Sequence, residues 1–326
     1  MPRPHETRNA EPFHGQSRAN GTAGPRESNY SPLGTTVACD DGMCTSKSRV
    51  WFITGGSRGF GLEIARATLQ GGDTVVATAR NPETITAALG AHERLYALPL
   101  DVTDEAQAVA AAGNAVARFG RIDVLVNNAG YGLLGAVEDA SAPEVERQFQ
   151  TNVFGLLAVT RAVLPYMRRA GGGRIINVSA IAGFAAFPGW GVYCATKFAV
   201  EALTEALALE LAPLGIHATS VQPGFFRTDF LAANSMVKTR QEIGDYSATA
   251  GEMRSMMAAA NHRQLGDPKK LANAVLVVAD SAKPPIRLPL GTDTVAKLAE
   301  QQKAIAAEAR EWHDVAVSTD HDDVAK

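Results

Sequence analysis

Apolar and polar positions fall into two kinds of block along residues 50–290. Short blocks at 50–54, 74–79, 95–100, 122–126, 174–178 and 217–222 are apolar almost throughout and predict strands. Longer blocks between them repeat apolar residues every three or four positions and predict helices over 62–69, 104–119, 143–169 and 193–211. Pro82 opens a shorter helix that ends near Gly90, and 266–268 open another that runs through Val278. A last strand at 286–290 and a polar, alanine-rich helix at 292–312 follow. Strands without a polar face, separated by helices, belong in a parallel sheet covered on both sides. Right-handed crossovers make that a single doubly wound α/β sheet, with its ligand beyond the carboxyl ends of the strands.

Residues 1–48 break the rhythm. They are rich in Pro, Gly, Ser, Asn and charge, and they carry too little apolar surface to offset chain entropy, so a disordered tail is expected. The tail lacks the apolar stretch of a secretory signal, and its scattered acidic residues suit a mitochondrial presequence poorly. Met43, just ahead of the first strand, is the expected native start, with the upstream segment a mis-assigned extension; N-terminal mass spectrometry on native protein checks this. No His or Cys cluster follows Cys39 and Cys44 at ligand spacing, so both are read as unpaired thiols and no metal is expected.

Composition narrows the function. With 326 residues, 46% hydrophobic and 20% charged, the chain is long enough for a large core. A net charge of −3 shows no basic field, so nucleic acid is not an expected partner. No run of about eighteen apolar residues predicts a membrane span, and three scattered cysteines suit a reducing cytoplasm.

Candidate chemistry gathers where strands end. The first strand runs straight into Gly55, Gly56, Gly59 and Gly61 and then a helix; such glycines let the backbone approach a bulky anion, and the helix start aims unpaired N–H groups at it. Asn127-Asn128-Ala129-Gly130 follows the fourth strand, Ser179 ends the fifth and Pro223-Gly224 ends the sixth. A plain turn accounts for the Asn-Asn-Ala-Gly segment equally well in isolation. Tyr193 and Lys197 stand at i and i+4, on one helical face. An ammonium beside a phenol favours the phenolate and is expected to lower the phenol from its usual value near 10, making it a usable proton donor or acceptor.

With these motifs in this order, residues 49–290 resemble a classical short-chain dehydrogenase/reductase, a single Rossmann-like catalytic domain, followed by a C-terminal helical extension over 291–326. The segment Pro223-Gly224-Phe225-Phe226-Arg227-Thr228-Asp229-Phe230 is similar to the steroid and retinol dehydrogenase-like branch. The resemblance implies NAD(P)-dependent hydride transfer to or from a carbonyl or alcohol. It makes Tyr193 the proton donor, has Lys197 hold the nicotinamide ribose and tune Tyr193, and has Asn152 anchor a proton-relaying water. It also implies cofactor contacts from Gly55, Ser57, Arg58, Gly59, Phe60 and Gly61, from Asp101 and Val102 around the adenine, from Asn128, Ala129 and Gly130, and from Pro223, Gly224 and Thr228. Relatives pair through two long helices, so a homodimer or homotetramer is implied.

One position departs from the family. Its serine thirteen residues before the tyrosine falls on Ala180, with Ser179 just before it. Neighbouring side chains on a strand face opposite ways, so Ser179 replaces the missing hydroxyl only on a bulged or turned backbone. Either a slow enzyme or a substrate with its own hydroxyl is expected.

The end of the second strand reads Ala77-Thr78-Ala79-Arg80, without the carboxylate that accepts ribose hydroxyls in NAD-binding relatives. Arg80 and Arg58 are expected to clamp a 2′-phosphate, which predicts NADP(H). Aromatics and methionines over 225–265 predict a lid above an apolar substrate, though core packing of a helical insertion explains them as well. An NADP-binding sensor and a sugar-nucleotide epimerase stand as the other readings. The intact Tyr193, Lys197 and Asn152 oppose the first; the glycine spacing and a short C-terminal half oppose the second.

Overall fold

The computed structural model describes residues 48–231, 235–260 and 263–321. The expected tail, with Met43, Cys39 and Cys44, lies outside them apart from its last residue.

Seven parallel strands form one sheet: β1 (Val50–Thr54), β2 (Thr74–Ala79), β3 (Leu95–Pro99), β4 (Val124–Asn127), β6 (Gly173–Val178), β7 (Ile216–Pro223) and β9 (Arg287–Leu290). Their order across the sheet is β3-β2-β1-β4-β6-β7-β9. The chain reverses direction of winding between β1 and β4, and a crevice opens at the strand ends there.

Alternation along β1 sends Trp51 and Ile53 to one face and Val50 and Phe52 to the other. The first face is covered by α1 (Gly59–Gln70), α2 (Glu83–Leu89) and α8 (Pro268–Asp280), through Ile64, Ile85, Leu271 and Val275. The second is covered by α3 (Glu105–Phe119), α5 (Leu156–Ala170) and α6 (Gly191–Leu211), through Ala112, Val159 and Leu207. Both faces of the inner strands β1, β2 and β4 are buried, which is why the sequence shows unbroken apolar runs there rather than alternation.

Helix limits follow their capping chemistry. Asp104 accepts from the Gln107 N–H at 3.1 Å to start α3, and Gly120, with φ +82°, ends it. Ser141 and Glu144 form a reciprocal capping box at the start of α4 (Ala142–Phe149).

The structure departs from the expected pattern in two places. The single helix expected over 143–169 is α4 and α5 joined by a wide π turn, Gln150–Gly155, which carries Asn152. A second sheet of two short parallel strands, β5 (Gly132–Leu134) and β8 (Met236–Lys238), joins the segment after β4 to the region beyond β7. Three-residue strands are too short to print a periodicity on the sequence. The remaining helices are α7 (Glu252–Ala260), α9 (Thr292–Glu311) and α10 (His313–Val317). Among the described residues no helix is long and apolar enough to cross a membrane.

Candidate active site

The glycine turn between β1 and α1 is built for close approach. Gly55 has φ +64°, a conformation that a side chain would strain. At Gly61 a Cβ would stand 2.5 Å from Asn128 Nδ2 and collide with the Gly55 carbonyl. The turn is braced from β4: Asn128 Nδ2 donates to the carbonyls of Thr54 (2.9 Å) and Gly55 (3.1 Å), while Thr54 Oγ1 accepts from the N–H groups of Asn128 and Ala129, both at 3.0 Å. Asn128 therefore fixes the shape of the glycine turn. No side chain caps the start of α1, which leaves its first N–H groups to an anion.

A cleft of about 1060 Å³ runs from this turn to the start of α6. Its walls include Ser57, Arg58, Gly59 and Phe60; Arg80, Asp101 and Val102; Ala129 and Gly130; Tyr193 and Lys197; and Pro223, Gly224 and Thr228. Gly61 and Asn152 stand behind the wall, both buried. Asn152 Oδ1 accepts from the Tyr131 N–H at 3.1 Å, and its Nδ2 donates to the Tyr131 carbonyl and to Thr196 Oγ1. The π turn delivers that amide to this position.

Tyr193 and Lys197 share a face of α6 as their spacing requires, with Lys197 Nζ 5.8 Å from the phenol ring centre and donating to the Val178 carbonyl at 2.8 Å. The electrostatics reverse the expected direction for the phenol. Burial, with Cys194 adding to it, pushes Tyr193 well above its ordinary value, while burial pulls Lys197 down to about 8 against the opposing pull of Glu201. A phenol held high keeps its proton through the neutral range.

Ser179 lines the cleft beside Ala180, but its hydroxyl packs toward Gly183. Its Oγ is buried without a partner among the described residues and lies 2.5 Å from where a Cβ on Gly183 would stand, beside Glu201. Ala180, the next residue, packs with Tyr193 and Trp190 instead. The backbone at Ala180 is extended (φ −168°, ψ 170°), so strand alternation still sets which side chain faces the site.

Sequence reasoning missed part of the apolar wall. Trp190 meets the Tyr193 ring edge-on at 5.4 Å and stacks with Phe230 at 6.5 Å, and Phe187, Leu133 and Val237 also line the cleft. Two aromatics just before the Tyr193 helix were the available signal.

The segment around Arg240 to Arg254 is tied down at buried Asp139 as well as through Glu144, which accepts from the Arg240 N–H at 3.1 Å. Asp139, fully buried, accepts from the N–H groups of Ala136 and Ile243, both at 2.9 Å, and from Arg254 Nη2 of α7 at 2.7 Å. Burial pushes its carboxyl up, but those donors and the Arg254 charge outweigh it and leave the group below the usual carboxylate range. Its contribution to stability is therefore complete above about pH 4 and lost as pH falls through the lower, folded-state value. Asp139→Ala leaves the buried Arg254 only its 3.3 Å ion pair with the exposed Glu242, leaves two backbone N–H groups without an acceptor, and is expected to destabilise the fold by about 3 kcal/mol, read as a lower midpoint in urea.

A family model described as short chain dehydrogenase matches residues 49–238. The chain belongs to the short-chain dehydrogenase family. It is 38% identical over 274 residues to oxidoreductase BOA17 of Botryotinia fuckeliana, covering 83% of this chain and 99% of that one. A solved short-chain dehydrogenase from Streptomyces avermitilis is 40% identical, with a TM-score of 0.78 over 84% of this chain and 100% of its own. Two more distant neighbours were solved with nicotinamide cofactors. ElxO with NADP bound is 28% identical, with a TM-score of 0.64 over 76% of this chain and 99% of its own. The 3-ketoacyl-(acyl-carrier-protein) reductase from Brucella melitensis complexed with NADH is 26% identical, with a TM-score of 0.62 over 74% and 96%. The protein is thus an oxidoreductase of a nicotinamide-using family, and the glycine turn, the uncapped helix start and the cleft fit such a dinucleotide.

Proposed function

We propose that the protein is an NADP(H)-dependent reductase that interconverts an apolar carbonyl, aldehyde, ketone or sterol-like, with its alcohol. The observation that carries this reading is one continuous cleft with Arg58 and Arg80 among its walls as well as Tyr193 and an aromatic surface. Bound cofactor supplies or accepts the hydride. Gly55, Ser57, Gly59, Phe60 and Gly61 would hold its pyrophosphate side, Asp101, Val102, Asn128, Ala129 and Gly130 its adenosine side, and Pro223, Gly224 and Thr228 its nicotinamide end. Tyr193 gives its phenolic proton to the carbonyl oxygen. Lys197, a cation below about pH 8, faces the anion left on Tyr193 and holds the ribose. Asn152 retains a lone pair on Oδ1 with which to anchor the water that returns a proton.

Residues 225–265 act as the lid, carrying Met253 and Phe230 onto the apolar wall. The protein works in the cytoplasm as a homodimer or homotetramer; light scattering during gel filtration reads the assembly directly.

Charge supports the 2′-phosphate. β2 ends at Ala79, and Arg80 with Asn81 takes the place on the cleft wall where a carboxylate would reject that phosphate. A higher kcat/KM with NADPH than with NADH is expected across a carbonyl panel. Arg80→Ala is expected to shrink that preference by about 10- to 100-fold, the worth of one charge-assisted contact. A parent enzyme that works faster with NADH overturns the assignment.

A further inference from the structure

One helical turn beyond Lys197 on the same face of α6 stands Glu201, with only 9% of its side chain exposed. Its Oε2 accepts from Ser220 Oγ at 2.8 Å and from Gln222 Nε2 at 2.9 Å, both on β7. Its other oxygen, Oε1, has no partner among the described residues, and neither have Ser179 Oγ and Gln222 Oε1 close by. Ser179 Oγ and Glu201 Oε1 both face Gly183, where a Cβ would stand 2.5 Å from the first and 3.0 Å from the second. β6 and β7 pair Val178 with Val221, so Ser179 and Gln222 each follow a paired residue at these strand ends, and the Val178 carbonyl there holds Lys197 Nζ.

A buried carboxylate is costly unless a cation answers it, and an amide of the same shape would serve packing more cheaply. Arg287 answers only in part. Its Nε lies 3.7 Å from Glu201 Oε2, but its side chain is 44% exposed and its guanidinium is shared with Glu205. The cation buried as deeply as Glu201 is Lys197.

We propose that Glu201 is a positioning residue of the reaction centre, the counter-charge that keeps Lys197 an ammonium seated on the Val178 carbonyl. The proposal rests on the reductase reading, in which Lys197 serves both Tyr193 and the ribose. The surroundings leave Glu201 in charge of this balance. On α6, Lys197 otherwise meets Tyr193 and Cys194, both held high and neutral by burial. From the π turn comes neutral Asn152, from β6 and β7 come Ser179, Ser220 and Gln222, and from β9 comes Arg287. On α4, Glu144 is committed to Ser141 and Arg147 acts on Tyr131. Burial alone pulls Lys197 down, and Glu201 opposes it.

The test uses two variants with opposite expected signs. NADPH affinity is measured by fluorescence titration from pH 6 to 10, alongside the pH profile of kcat/KM. In the parent, affinity weakens as pH rises through about 8. Glu201→Gln is expected to move that weakening about one pH unit lower, and Arg287→Gln, which leaves Glu201 less neutralised, to move it higher. A purely structural Glu201 lowers the melting temperature and leaves both curves in place, and superimposable curves overturn the proposal. If Glu201→Gln does not fold, the Arg287→Gln curve decides alone. NADPH binding with unshifted curves sinks this proposal only, whereas a parent that binds no NADPH at any pH sinks the reductase reading with it.

Discussion

Tyr193→Phe is expected to lower kcat for carbonyl reduction by about 10²- to 10⁴-fold while leaving NADPH affinity unchanged. The loss falls on kcat because the phenolic oxygen contributes only where the carbonyl oxygen gains charge, so substrate and cofactor still bind. The fold should survive. The ring packs against Trp190 at 5.4 Å and Phe230 at 5.7 Å, and a phenylalanine keeps both contacts. Stopped-flow absorbance of NADPH oxidation reads the chemical step directly. The pH profile supplies an independent check. Burial holds the phenol in its protonated form through the neutral range, so no phenol limb appears near pH 7, and the fall above about pH 8 belongs to Lys197. A Tyr193→Phe protein as fast as the parent would reduce the site to a nucleotide-holding scaffold.

Much of this site was legible from the chain. Residues 50–54 read as a strand because β1 is buried on both faces between β2 and β4, which demands uninterrupted apolar side chains. The i, i+4 spacing of Tyr193 and Lys197 placed them on one face because helix geometry allows nothing else.

What escaped was set by tertiary contact. Spacing gives the Lys197 charge near Tyr193 but not the desolvation that raises the phenol, since burial is a sum over α6, β5 and neighbours such as Leu231, Met236 and Met257. The π turn at Asn152 is not legible in the sequence because weak helix formers such as Thr151, Asn152 and Gly155 do not by themselves distinguish a wide turn from a continuous helix, and the bonds Asn152 makes to Tyr131 and Thr196 are tertiary. β5 and β8 pair across a hundred residues of chain, which local periodicity does not register.

Ala180→Ser is expected to raise kcat for a plain ketone by up to about 10²-fold, the worth of one hydrogen bond to a developing oxyanion. The position makes the gain possible. Ala180 lines the cleft and packs with Tyr193, so a hydroxyl added there enters the site on the Tyr193 side, whereas Ser179 Oγ packs toward Gly183. Its stability cost is small, because a polar atom on the cleft wall can bond to water when no substrate is present. The same substitution separates the two explanations for the parent's alanine. If the natural substrate brings its own hydroxyl, the parent reduces an α-hydroxy ketone faster than the deoxy analogue, and Ala180→Ser removes that preference by helping only the analogue. If the parent is simply slow, both ketones gain alike. Rates for the pair with parent and variant decide between them. No gain for either ketone would mean that the added hydroxyl does not reach the reacting carbonyl, and that Ala180 is not where this enzyme lost its hydrogen bond.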